Sequence, residues 1–315
     1  MALPVETLGR TGIRVTRLGL GCAWLGRSGE SVDEGVAEQT VWAALDAGIR
    51  FIDTAPLYLR YASERIVGRT LQQRPDLAAE VVLETKCCRL PDGSDYSYDG
   101  AMRSVEGSLE RLGRSRLELL YVHDPPADAL LQVTGPGGAL EALRRLQAEH
   151  VVGHIGIASN YPEDNAPYVE TGEFEMAVVP DAYSLLNQTA LERIFPAAQR
   201  FGMGVVIATP LEKGLLAVGT AAATRPGVVP PTRWFAPQVL DHVARIEEVC
   251  STHGVGLLAA ALQFVLRHPV VTATIPGART PDEARANAQA VSAPIPDPFW
   301  HDLEPLLRTW DVVVR

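Results

Sequence analysis

Eight short apolar runs alternate with amphipathic helical stretches along the 315 residues, no compositional break divides them, and runs two, three and four each end in an ionisable residue. These observations predict an α/β protein. Its expected form is a (β/α)8 barrel of the TIM type, preceded by a β-hairpin and carrying extra helices and loops at the C-terminal face of the sheet. Residues 1–315 are expected to form one domain, for which a 47% hydrophobic content supplies ample core.

The chain opens as a hairpin: Glu6-Thr7-Leu8, a turn from Gly9 to Gly12, then Ile13-Arg14-Val15. Strand candidates follow at Leu18–Cys22, Phe51–Thr54, Val81–Lys86, Leu117–His123, His154–Ser159, Met176–Asp181, Gly204–Thr209 and Thr272–Pro276. Between them the apolar residues carry helical period, as in Val105/Leu109/Leu112, Ala139/Leu143/Leu146 and Val243/Ile246/Val249/Cys250. Ser31 with Glu34, and Thr280 with Glu283, read as capping boxes, the second with Pro281 at the first helical position. Thr220 to Pro237 lacks periodicity and is rich in proline, as expected of an elaborated loop on the active face. A two-domain open sheet is the competing architecture, but Gly19-Leu20-Gly21 lacks the third glycine and following helix of a dinucleotide fingerprint.

A formal charge of -10 argues against nucleic acid or an anionic membrane as the main partner, while leaving room for a small anionic ligand. No apolar run has the length to cross a bilayer, and the first residues lack the regions of a secretion signal. Cys22, Cys87, Cys88 and Cys250 form neither a CxxC pair nor a disulfide framework. No metal site is expected, and a reducing cytoplasm is the simplest compartment. Cys87 and Cys88 read as small buried residues at a strand end.

The ionisable endings are Asp53, Lys86 and His123, and Tyr58 lies five residues beyond the first. A lone Asp at a strand end often caps a helix, a lone Lys pairs at the surface, and a lone His sits satisfied in a core. Three on consecutive parallel strands are a different matter, because neighbouring strands stand only about 5 Å apart. Lys86 beside Tyr58 would favour the phenolate and lower its pKa, and Asp53 would hold the lysine charged. Tyr58 then exchanges a proton with a carbonyl or alcohol oxygen, which His123 orients. Such a site cannot itself supply or take up the two electrons of the redox step, so a hydride cofactor is implied.

At these residues the chain resembles the aldo-keto reductase superfamily. Asp53-Thr54-Ala55-Pro56-Leu57-Tyr58, Ser63-Glu64 and Gly68 carry the resemblance. It continues through Thr85-Lys86, Leu120 to His123, Gly156 to Asn160 and Ile275-Pro276-Gly277. Asp95 to Gly100, Met102-Arg103-Ser104, His123-Asp124-Pro125, Ala260 to Phe264 and Ala293 to Pro296 are most similar to the aldose 1-dehydrogenase branch. That branch includes L-fucose, D-threo-aldose and galactose dehydrogenases and pyridoxal 4-dehydrogenase relatives. The resemblance implies NAD or NADP across the barrel mouth and a catalytic tetrad of Asp53, Tyr58, Lys86 and His123. It also implies cofactor contacts from Ser159, Asn160, Pro210, Leu211, Gly214, Leu215, Gly277, Ala278, Arg279, Glu283 and Asn287. Trp24, Tyr61 and Trp234 are the candidate substrate walls.

Three positions depart from the family pattern. Pro180 stands where many members have Gln before the tyrosine after strand six, and Ala208 stands where an aromatic often stacks on nicotinamide. Leu59-Arg60-Tyr61-Ala62 replaces a glycine-containing loop. Glu283 would repel a 2′-phosphate, which favours NAD over NADP. The expected reaction is oxidation of the anomeric carbon of a free aldose to a lactone. The alternatives are an NADPH-dependent carbonyl reductase and a non-catalytic nucleotide-sensing barrel. The expected partners are a small sugar or carbonyl compound, in a monomer or weak homodimer.

Overall fold

A computed structural model describes residues 3–29, 31–223 and 235–310. Eight parallel strands form one sheet: β1 (Leu20–Gly21), β2 (Phe51–Asp53), β3 (Val82–Cys87), β4 (Leu117–His123), β5 (Val152–Ala158), β6 (Met176–Val179), β7 (Gly204–Ile207) and β8 (Val271–Thr274). Each strand neighbours the next in chain order. The ring closes where Leu18 bridges Thr274 and Gly21 bridges Gly277, with the Gly19 N–H donating to Thr274 O at 2.8 Å. All eight predicted runs lie in this barrel, several of them shorter than expected. Asp181 (φ 47°) and Thr209 (φ 56°) adopt left-handed backbone, so β6 and β7 stop before them.

The flanking helices are α1 (Glu34–Asp46), α2 (Ala62–Gln73), α3 (Tyr98–Leu112), α4 (Ala139–Ala148), α5 (Pro162–Thr171), α6 (Ile194–Phe201), α7 (Pro237–Thr252), α8 (Leu257–Arg267), α9 (Pro281–Ser292) and α10 (Asp297–Leu303). α3 shows the local logic. Ser97 Oγ accepts from the Gly100 N–H at 3.1 Å to cap it, and Gly113 at φ 65° ends it. The helix buries Ala101, Val105 and Leu112 against the sheet, while α4 buries Ala139, Leu143 and Leu146. Truncating a buried leucine such as Leu143 to alanine costs about 2–5 kcal/mol.

The α1 start differs from the predicted capping box. Asp33 is the cap, accepting from the Val36 N–H at 3.0 Å, because Ser31 belongs to a short antiparallel pair with Ser28 and donates its hydroxyl to Ser28 O. The Thr280 cap of α9 is present, with Pro281 first in the helix. Thr220–Ala223 forms a helical turn and Pro237 begins α7; residues 224–234 of the predicted loop lie outside the described residues.

The hairpin, Val5–Thr7 paired with Arg14–Thr16, meets the N-terminal end of the barrel. Leu8 enters the inner core with Phe51, Met176 and Val206. Gly9 (φ 50°) passes so close to Gly204 that a Cβ would overlap its backbone. Arg10 ties the hairpin to the carbonyls of Gly172, Phe174 and Phe201. The floor of the barrel is thereby sealed, leaving the opposite face for chemistry. Among the described residues no single helix is long and apolar enough to cross a membrane.

Candidate active site

Among the described residues, the C-terminal face carries most of the backbone strain. Among described non-glycine residues with positive φ, only His150 precedes a strand; Leu59, Arg60, Tyr61, Cys88, Asp124, Asp181, Thr209, Glu212 and Lys213 all follow barrel strands. Strain of this kind persists where surrounding packing over-determines it, and it gathers at functional sites. The loop after β2 is one such place. Thr54 and Ser63 hydroxyls meet at 2.8 Å, and Ser63 donates to Cys22 O at 3.0 Å. Glu64, fully buried, accepts from Thr85 Oγ1 at 2.7 Å and Arg111 Nε at 2.6 Å. These contacts close the loop and deliver Tyr58 over the barrel mouth.

Asp53, Lys86 and His123 converge as the strand endings predict. Lys86, 2% exposed, donates to Asp53 Oδ1 and to Thr54 O at 3.0 Å. Its Nζ lies over the Tyr58 ring, 4.6 Å from the centroid, where its charge favours the phenolate. His123 stands edge-on to Tyr58, ring centroids 5.8 Å apart and planes at 86°. Its Nδ1 is buried and has no hydrogen-bond partner among the described residues.

The electrostatics add a result that the strand pattern did not reveal. Burial pushes the Tyr58 phenol up, and Asp53 pushes it further; Lys86 pulls it down without prevailing. The net direction is opposite to the sequence expectation, because desolvation is invisible in a residue list. Burial alone would lower Lys86, but Asp53, Tyr58 and Glu84 together hold its ammonium above the usual lysine range. Burial, then Lys86 and Arg89, keep the His123 imidazole neutral well below its ordinary pKa. The site thus presents a protonated phenol, a fixed cation and a neutral imidazole.

The residues proposed for a cofactor lie past the ends of β5, β7 and β8, on the same face. Ser159 Oγ donates to Pro125 O at 3.2 Å, and Asn160 Nδ2 to Asp124 Oδ2 at 2.8 Å. Pro210, Leu211, Gly214 (φ 103°) and Leu215 line the turn after β7. Gly277, Ala278 and Arg279 follow β8, with Glu283 and the buried Asn287 on α9. Neither a left-handed φ nor a crowded neighbour requires glycine at 277; its missing Cβ would come no nearer than 3.6 Å to Trp24. Space for a ligand's close approach is therefore kept open there. Arg279 is engaged on both its backbone and its guanidinium by Glu283, at 2.7 Å and 2.8 Å.

Trp24, 38% exposed, packs beside Gly277 with Arg27 over its ring at 4.7 Å. Tyr61 is covered by Arg111, whose guanidinium lies 4.7 Å from its ring, between α2 and α3. Trp234 lies outside the described residues. Tyr183, the tyrosine after β6, is packed against Phe195, Phe264 and His268. Two groups escaped sequence reading. Asp124 joins Arg89 and Asn160 beside His123, and Lys213 pairs with Asp181 at 2.7 Å. The first had a signal in His123-Asp124-Pro125; the second had none.

Residues 17–308 match the model of the aldo/keto reductase family. The chain is 33% identical to pyridoxal 4-dehydrogenase of Microbacterium luteolum, across 95% of this chain and 96% of that protein. It is 32% identical to D-threo-aldose 1-dehydrogenase of a Pseudomonas species, across 93% and 94%. Its fold is similar to an aldo-keto reductase from Bacillus halodurans in its holo form, with TM-score 0.79, 27% identity and 98% of both chains covered.

Proposed function

The chain belongs to the aldo/keto reductase family of oxidoreductases, and on that premise we propose that it oxidises the anomeric carbon of a free aldose to a lactone, with NAD as acceptor. One observation carries the proton-transfer half of this reading. A buried ammonium, fixed by Asp53 and Thr54 O, faces a phenol that shares its pocket with an unpartnered His123 Nδ1. The similarity to D-threo-aldose 1-dehydrogenase supports the substrate class.

Bound nicotinamide would supply the hydride acceptor. Ser159 and Asn160 would hold its carboxamide, the turn from Pro210 to Leu215 its pyrophosphate, and Gly277 to Asn287 its adenosine. His123 orients the anomeric hydroxyl through its ring nitrogen. Tyr58, as phenolate, takes the hydroxyl proton, and Lys86 stabilises that anion across a short distance in a site of low dielectric. Because the phenol is held neutral, oxidation must first remove its proton. The NAD preference follows from Arg279, whose guanidinium is already paired with Glu283 and which lacks a free charge for a 2′-phosphate.

A second reading, carbonyl reduction with NADPH, is favoured by the same neutral phenol, since reduction consumes a proton that Tyr58 already carries. A panel of free aldoses with NAD and NADP, and of pyridoxal and simple aldehydes with the reduced cofactors, followed at 340 nm, decides between the two. The proposal requires kcat/KM for at least one free aldose with NAD to exceed that for every aldehyde. The reverse ranking would replace it by the second reading.

A further inference from the structure

Beneath the four site residues lies a fifth ionisable group that the mechanism leaves unused. Glu84 is fully buried on β3, two residues before Lys86 and so on the same inward face. Its Cα is the register partner of Asp53 on β2 and of Leu119 on β4. Neither carboxylate oxygen accepts a hydrogen bond of ordinary geometry from any described residue. The titratable groups facing it are Asp53 from β2, Lys86 from its own strand, Tyr121 from β4 and Cys22 beyond β1. The buried Tyr121 hydroxyl is turned toward the same carboxyl group but makes no hydrogen bond of ordinary geometry to it.

A bare carboxylate in such a place would be a desolvated charge with the Tyr121 hydroxyl as its one neighbouring neutral donor, and Lys86 is already committed to Asp53. Two carboxyl groups side by side in a closed site relieve this by sharing one proton. We infer that Glu84 is a positioning residue that keeps its proton and donates it to Asp53, so that Asp53 is held between a carboxylic acid and the Lys86 ammonium. Burial and the Asp53 charge both push the Glu84 carboxyl well above the ordinary glutamate range, in agreement. By drawing charge from Asp53, the donated proton loosens the grip of Asp53 on Lys86 and weakens its field at Tyr58. Glu84 thereby tunes the acidity of a phenol it does not touch. The inference rests on the proton-transfer reading of Tyr58 for its consequence, but not for its observable.

Two measurements test it. Infrared spectroscopy of the intact protein at neutral pH should show the carbonyl stretch of a protonated buried carboxyl group, absent in Glu84→Gln. A wild-type spectrum without that band, or one that Glu84→Gln leaves unchanged, overturns the inference whether or not any substrate is turned over. For consequence, Glu84→Val removes the donor, and the rising limb of the oxidation pH profile should move up by about one unit, read as a roughly tenfold lower kcat/KM at a fixed pH on that limb. Glu84→Gln retains an N–H donor to Asp53 and should return the profile toward wild type. A Glu84→Val profile that superimposes on wild type contradicts the tuning role. A purely structural role would lower kcat in both variants without moving either profile.

Discussion

Replacing Asp53 by Asn tests the buried pair at the base of the site. Asp53 and Lys86 side chains are 4% and 2% exposed, so the pair is shielded from water on all sides. Removing the anion leaves the ammonium with Thr54 O and a neutral amide, and breaking a buried pair in this way costs about 3–5 kcal/mol. For a chain of 315 residues the entropy of unfolding is about 0.7 kcal/mol/K, so the loss corresponds to a Tm drop of about 4–8 °C. The sign with pH is fixed by Lys86, whose pKa is raised in the folded state. Its stabilisation is fully present below the ordinary lysine pKa and is lost only as pH rises through the raised value. The contribution of the wild-type pair should therefore be constant from about pH 6 to pH 9, which lies below the ordinary lysine value. Thermal melts followed by circular dichroism across that range suffice. A variant melting within a degree of wild type would mean that Asp53 does not hold the lysine charge.

Other perturbations follow from the same geometry. His123 is depressed below its unfolded pKa, so its contribution is present above about pH 6.5 and lost as pH falls, by at most about 1.4 kcal/mol per unit. His123→Gln should flatten the wild-type loss of stability between pH 6.5 and 5, and equal slopes in both would refute the assignment. Glu283→Gln releases the Arg279 guanidinium and should raise kcat/KM with NADP relative to NAD by about tenfold, the equivalent of one charge-assisted hydrogen bond. An unchanged ratio would separate cofactor choice from this pair. Because burial and Asp53 hold the Tyr58 proton on, kcat/KM for oxidation should still be climbing at about pH 10, the ordinary tyrosine value. A plateau near neutrality would contradict the direction of that shift.

Much of this was legible in the residue order because barrel strands announce themselves. Runs such as Leu117 to Val122, buried on both faces but for Glu118, read as continuous apolar segments, and their ionisable endings Asp53, Lys86 and His123 fall at one rim by topology alone. What sequence reading missed arises from three-dimensional neighbours. Ser31 looks like a helix cap until the pairing of Ser28 with Ser31 claims it and Asp33 takes its place. The sign of the Tyr58 shift depends on how much water burial removes, which no spacing encodes. Leu59, Arg60 and Tyr61 hold left-handed backbone, a conformation that favours glycine, and Tyr61 turns to Arg111, a partner fifty residues away. Glu84 read as one more strand residue; only its register with Asp53 sets it apart.

Tyr58 is proposed as the group that exchanges a proton with substrate, and its hydroxyl can be removed alone. Tyr58→Phe removes one oxygen while leaving the ring beside Lys86 and the residues proposed for the cofactor untouched. Turnover should fall on the order of 10²–10⁴-fold, as for the loss of a general acid or base, while titration of NADH fluorescence gives wild-type affinity. A Tyr58→Phe enzyme that binds NADH and still turns over at the wild-type rate would contradict the assignment.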